Sequence, residues 1–139
     1  LLQRNKRKKL WITGHSLGGA MATLCASRLE EKEPSLYTYG SPRVGGQEFC
    51  DGMDVKHWRF VNNNDIVTKV PFWFMGYRHH GIEWYINYYG NVRDHTYWQR
   101  VKDSWRGRWK SIKKRQLFDG MYDHSITGYA DKLLKILRS

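Results

Sequence analysis

The chain has 139 residues, of which 40% are hydrophobic and 15% aromatic, so it suits one domain with a packed core and is not disordered. No apolar run approaches the ~18 residues of a membrane-spanning helix, and the basic start of the chain lacks the apolar stretch of a secretory signal. The 24 Lys and Arg against 13 Asp and Glu give a net charge of +11, which favours anionic partners. Cys25 and Cys50 have neither metal-ligand spacing nor the density of a disulfide framework, so we expect two free, mostly buried thiols and no metal or cofactor.

Apolar runs with strand character alternate along the chain with runs of helical spacing. Strands are predicted over residues 9–13, 36–39, 57–61 and 82–87, and helices over residues 20–32, 47–53 and 125–137. This order is typical of an α/β fold with a mostly parallel sheet and flanking helices. The last helix places six apolar residues on one face: Ile126, Tyr129, Ala130, Leu133, Leu134 and Leu137.

The most informative motif is the G-x-S-x-G sequence over residues 14–18, which lies between the first predicted strand and the first predicted helix. A strand–turn–helix setting is what a nucleophile elbow requires, because the sharp turn lifts the serine hydroxyl clear of the sheet. Gly14 and Gly18 remove side chains that would clash as the helix approaches the strand. Ser16 is therefore the candidate nucleophile, and the N–H of Leu17 is a candidate donor to an oxyanion.

A serine nucleophile needs a histidine base, and the base needs a carboxylate to orient it. In α/β-hydrolases the acid follows the serine and the histidine comes last. Asp65 follows the third predicted strand, at the sheet edge that also carries Ser16, and His124 immediately precedes the last helix. The side chain of His15, within the elbow, is expected to point away from the site. The remaining rivals are His57, His79, His80 and His95 for the base, and Asp119 and Asp123 for the acid.

The chain resembles the class 3 lipases, the fungal triacylglycerol lipase family, in five blocks that appear in family order. These blocks are residues 10–20 around the elbow, residues 39–45 (YGSPRVG), residues 60–71 around Asp65, residues 76–81 (GYRHHG) and residues 123–129 around His124. The resemblance implies an α/β-hydrolase fold, with Ser16 as nucleophile, Asp65 as acid and His124 as base.

Against this family, residues 1–139 correspond to the C-terminal part of a single catalytic domain. We therefore expect the N-terminal strands, the lid and the loop with the second oxyanion donor to lie outside this chain. On this interpretation the missing N-terminal half is a required partner, and the chain made alone is a poor hydrolase that tends to aggregate, because an uncovered strand edge invites association.

Residues 94–118 form a basic insert that matches none of the blocks in which the chain resembles the class 3 lipases. Trp98, Trp105 and Trp109 recur at helical spacing among Lys and Arg residues. This pattern suits a helix whose Trp stripe packs on the domain, or one that contacts an anionic membrane or lipid interface. A nucleic-acid backbone is a less favoured partner.

The sequence thus predicts a serine ester hydrolase of lipid carboxylic esters that works through an acyl-enzyme. A phospholipase A1, a thioesterase and an acyltransferase would use the same triad. A different class, a non-catalytic module that binds anionic surfaces, has only the positive charge in its favour.

Overall fold

The computed structural model describes residues 9–63, 65–87, 92–93 and 123–138. Its sheet contains five strands in the order of the sequence: β1 (Trp11–His15), β2 (Ser35–Tyr39), β3 (Lys56–Asn62), β4 (Ile82–Ile86) and β5 (Val92–Arg93). The first four strands are parallel, and β5 is antiparallel to β4. The mostly parallel α/β sheet predicted from the sequence is therefore confirmed.

Within the described residues, three helices accompany the sheet: α1 (Leu17–Ser27), α2 (Gln47–Gly52) and α3 (Ile126–Leu137). Short 3-10 turns cover Glu30–Lys32, Val67–Lys69 and Trp73–Met75. The predicted first helix was too long, because α1 ends at Ser27 and Glu30–Lys32 forms a separate turn. Strand β1 extends two residues beyond the predicted end at Thr13, so the elbow serine follows it directly.

The two faces of the sheet differ in the side chains that they carry. On one face α1 packs through small residues, and the core there consists of Ala22, Ala26, Leu36, Met53 and Val55. The other face carries a row of stacked rings in which Tyr37 lies 5.4 Å from Trp11 and 4.9 Å from Trp58 between ring centroids. The small residues of α1 let its backbone approach the strands closely.

The burial expected of the two cysteines needs correction. Cys25 is exposed and Cys50 is half-buried, so the thiols are free but not mostly buried. The apolar face of α3 is largely uncovered among the described residues, since only Tyr129 is buried while Ile126 and Leu137 are exposed. Helical spacing predicts which side chains share a face, but it does not supply the neighbour that would cover them. Within the described residues, no helix has the length and apolarity needed to cross a membrane.

Candidate active site

Ser16 lies on the sharp turn that joins β1 to α1. Its backbone has φ 57° and ψ −130°, a region that residues with a side chain seldom adopt. The turn is held from both sides, because the Ser16 N–H donates to Tyr39 O at 3.0 Å and Ser16 O accepts from Gly19 N at 2.9 Å. This is the strained elbow geometry that the G-x-S-x-G spacing predicts.

Two glycines make this turn possible, and they are not quite the two that the motif suggests. A Cβ on Gly14 would lie 2.2 Å from Gly18 O, and one on Gly19 would lie 2.7 Å from Ser41 Cβ. A Cβ on Gly18 would meet no described atom within 4 Å, so the predicted clash at Gly18 is not found among these residues. The close approach of helix and strand therefore depends on Gly14 and Gly19.

His124 connects the serine to a carboxylate. Its Nε2 lies 2.7 Å from Ser16 Oγ, and its Nδ1 lies 3.0 Å from both Oδ1 and Oδ2 of Asp65. An ionised carboxylate can only accept, so the ring proton belongs on Nδ1. Nε2 is then free to accept the hydroxyl proton of Ser16. The three side chains predicted from the sequence are thus brought together in the geometry of an activated nucleophile.

Asp65 is fully buried, and its hydrogen bonds fix the direction of both oxygens. Oδ1 accepts from the N–H of Val67 at 2.9 Å, and Oδ2 accepts from the hydroxyl of Tyr129 at 2.7 Å. The Tyr129 hydroxyl oxygen, Oη, in turn accepts from the N–H of Asn62 at 2.9 Å. Burial raises the pKa of Tyr129, and the neighbouring charge of Asp65 raises it further, so this hydroxyl stays a donor. Sequence periodicity placed Tyr129 only on an apolar helix face and missed this contact.

Two more residues that the sequence argument did not select contact the site. His15 does not point away: its ring stacks on His124 with 4.8 Å between centroids, and its Nε2–H donates to His124 O at 2.6 Å. Gly40, at φ 58°, lies so close that a Cβ there would be 2.6 Å from Asp65 Oδ2 and 3.1 Å from His124 Nδ1. Two features of the sequence could have indicated these contacts: His15 directly precedes the nucleophile, and a glycine directly follows β2.

Comparison with known proteins decides the family. The family model described as Lipase (class 3) matches residues 1–75, more than half of the chain. The chain belongs to the class 3 lipase family. It is 38% identical over 91 residues to the secreted mono- and diacylglycerol lipase A of Penicillium cyclopium, covering 62% of this chain and 30% of that protein. The chain therefore spans about a third of the length of this curated relative.

Solved lipase structures have the same arrangement of strands and helices. The crystal structure of the lipase from Rhizopus microsporus var. chinensis superposes with a TM-score of 0.57 at 39% identity, covering 61% of this chain and 33% of that one. A triacylglycerol lipase whose catalytic centre is described as a serine protease triad superposes with a TM-score of 0.55, also at 39% identity, and covers 61% and 36%. The fold is that of the α/β-hydrolases.

In this class 3 lipase chain, the described rivals of the triad residues make other contacts. His79 Nε2–H donates to Thr68 O at 2.7 Å, whereas His57 contacts Thr38 and His80. Burial lowers the pKa of both His57 and His79 to about 3, which suits neutral structural rings. The Asp123 carboxylate accepts from Lys132 Nζ at 3.4 Å and from Asn63 Nδ2 at 3.4 Å, and these contacts lie outside the triad. His95 and Asp119 lie outside the described residues.

Leu17 begins α1 directly after the nucleophile. The first N–H groups of a helix have no acceptor within the helix and carry its positive dipole end, which favours a negative charge there. The Leu17 N–H, which directly follows Ser16 in the chain, stays the predicted oxyanion donor. Among the described residues of this lipase-family chain, no three His, Cys, Asp or Glu side chains are grouped to hold a metal ion.

Proposed function

We propose that this protein is a serine carboxylic ester hydrolase that acts on lipid esters, with Ser16 as nucleophile, His124 as base and Asp65 as the carboxylate that orients His124. The observation that carries the proposal is the unbroken chain of hydrogen bonds from Ser16 Oγ through the His124 ring to Asp65. The lipase names of the relatives support ester-linked lipids as the substrate class.

The reaction on this triad proceeds through an acyl-enzyme. Ser16 Oγ attacks the ester carbonyl carbon while His124 Nε2 takes its proton. The tetrahedral intermediate collapses, the bond to the alcohol breaks, and His124 returns the proton to the departing alcohol oxygen. Water then attacks the acyl carbon while His124 Nε2 takes a proton from it. The bond between the acyl carbon and Ser16 Oγ breaks as His124 returns that proton to Oγ, which releases the carboxylic acid and restores the Ser16 hydroxyl.

The oxyanion of each tetrahedral intermediate needs donors that are already in place. The N–H of Leu17 supplies one in this proposal, and it is rigid because it belongs to the first turn of α1. The second donor of α/β-hydrolases comes from a loop after another strand. We further propose that residues 1–139 belong to one α/β-hydrolase domain, since the triad draws on both Ser16 and His124, near opposite ends of the chain.

The finer substrate assignment is triacylglycerol-like lipid, with phospholipase A1, thioesterase and acyltransferase activities as alternatives on the same triad. The basic segment 94–118 lies outside the described residues, and contact of Trp98, Trp105 and Trp109 with an anionic lipid interface stays a proposal. If it is correct, replacing these three residues with Ala weakens binding to anionic vesicles.

A fluorophosphonate probe tests the enzyme class on the full-length protein. We expect stoichiometric modification of Ser16 and none in the Ser16→Ala variant. A panel of triacylglycerol, phospholipid and thioester substrates then separates the alternatives. A Ser16 that does not react in folded full-length protein would favour the non-catalytic binding module.

A further inference from the structure

Residues 72–75, here called the aromatic turn, present four large apolar side chains to solvent. Phe72, Trp73, Phe74 and Met75 are 47%, 64%, 69% and 59% exposed. The rings of Phe72 and Phe74 stack with 5.3 Å between centroids, and Trp73 meets Phe74 edge-on at 6.2 Å. Single exposed apolar residues need no explanation, but a contiguous exposed cluster marks an interaction surface.

Arg78 holds the backbone of the aromatic turn, and Arg43 holds the three residues directly before it. Arg43 donates from Nη1 to the carbonyls of Lys69 and Pro71, the latter at 2.8 Å, and the Arg43 N–H donates to Val70 O at 2.8 Å. Arg78 donates from Nη1 to Trp73 O at 2.7 Å. Because these bonds fix the turn before any partner arrives, little conformational entropy is lost when its side chains bind.

The surroundings of the aromatic turn are basic. Residues 66–81 contain the cationic side chains of Lys69 and Arg78 but no Asp or Glu, and the whole chain carries a net charge of +11. Lys69 is exposed beside the turn. Projecting aromatic and Met side chains next to cationic groups complement a surface that is apolar inside and anionic outside, as an anionic lipid layer is.

The aromatic turn is also joined to the segment that carries Asp65. The turn follows Val67–Lys69 in the chain, and Thr68 Oγ1 donates to Asp65 O at 2.9 Å. An anchor at this position is therefore fastened to the segment that carries Asp65.

We propose that the aromatic turn inserts into anionic lipid surfaces and docks the protein on its substrate layer. This inference rests on the proposed lipid-ester hydrolase function. It is separate from the basic segment 94–118, because it is carried by Trp73 and Phe74 on a turn whose backbone Arg78 holds.

Sedimentation with vesicles tests the proposal on the full-length protein carrying Ser16→Ala, which removes hydrolysis from the measurement. The vesicles contain phosphatidylcholine alone or equal parts of phosphatidylcholine and phosphatidylserine. We expect W73A/F74A to lower the partition coefficient by about 30-fold, equivalent to about 2 kcal/mol. Lys69→Gln should lower it about fivefold on the anionic vesicles only. The matched control is Leu137→Ala, which truncates an even more exposed apolar residue on α3 and should leave binding unchanged.

Hydroxyl-radical footprinting gives a second measurement, in which residues 72–75 are not substituted. We expect oxidation of Trp73, Phe74 and Met75 in solution and protection when vesicles are added. Unchanged vesicle binding of W73A/F74A would overturn the proposal. So would protection without vesicles, which would mean that another part of the protein or a second copy covers the turn. If these binding results hold but the unsubstituted protein shows no hydrolysis, only the proposed function fails.

Discussion

The hydroxyl of Tyr129 offers a sharp test of how the site is built. Tyr129→Phe removes the donor that lies 2.7 Å from Asp65 Oδ2 and the acceptor that lies 2.9 Å from Asn62 N. A hydrogen bond to a charged group contributes about 1.5–3 kcal/mol, and a buried donor left without its partner costs about 1–3 kcal/mol. Because the site relaxes partly, we expect a loss of about 3 kcal/mol in the free energy of unfolding. Asp65 keeps its bond from Val67 N, so kcat should fall by only about tenfold.

The assay uses the full-length protein, with chemical denaturation for stability and a short-chain p-nitrophenyl ester for kcat and KM. The matched control is Tyr37→Phe, which removes a hydroxyl from the aromatic face of the sheet and should change neither quantity much. We expect KM to stay constant for Tyr129→Phe, since the hydroxyl contacts Asp65 and not the substrate. Wild-type stability and kcat in Tyr129→Phe would refute the conclusion that this hydroxyl holds the carboxylate.

Three further outcomes follow from the same geometry. Ser16→Ala and His124→Ala should each reduce kcat by several orders of magnitude, and the double variant should be little worse, because the triad acts as a unit; multiplying losses in the ester assay would contradict a shared mechanism. Gly40→Ala places a methyl 2.6 Å from Asp65 Oδ2 and should lower kcat/KM by about 100-fold or more, whereas a near-normal rate would mean that the site adapts freely. His57 has its pKa lowered to about 3 by burial, so the unfolded state binds the extra proton below pH of about 6.5 and stability falls as pH decreases towards 3. Chemical denaturation at several pH values gives the slope of the free energy of unfolding against pH. In His57→Gln this slope should be smaller than in the wild type by up to about 1.4 kcal/mol per pH unit, and an unchanged slope would exclude His57 as its source.

The elbow could be predicted from sequence because its determinants are local. The strand, the glycines and the serine lie within a few residues of one another, and their spacing alone requires a sharp turn. Asp65 and His124 could be selected by chain order, since the carboxyl ends of parallel strands meet at one edge of a sheet. The length of α1 was overestimated, because helical composition continues past Ser27 while the chain turns towards β2.

The contacts that hold Asp65 and His124 in place could not be predicted, because they join segments that are distant in sequence. Tyr129 is 64 positions from Asp65, and His15 is 109 positions from His124. The residues around Tyr129 in sequence do not indicate whether its side chain only packs in the core or donates a hydrogen bond to a carboxylate. Gly40 shows a similar limit, since the need for glycine there arises from Asp65, His124 and Tyr129 around it.

The sequence by itself determined the α/β class, the elbow and the order of the triad, because each depends on periodicity, short spacing or chain order. Only the tertiary structure decided which histidine meets Ser16, what holds Asp65 and which apolar side chains stay exposed. The physical reason is that hydrogen bonding and burial depend on which segments meet in space. Periodicity marked the α3 face as apolar although much of it is uncovered among the described residues. The aromatic turn is likewise a property of the tertiary structure, in which its four large apolar side chains all stay exposed.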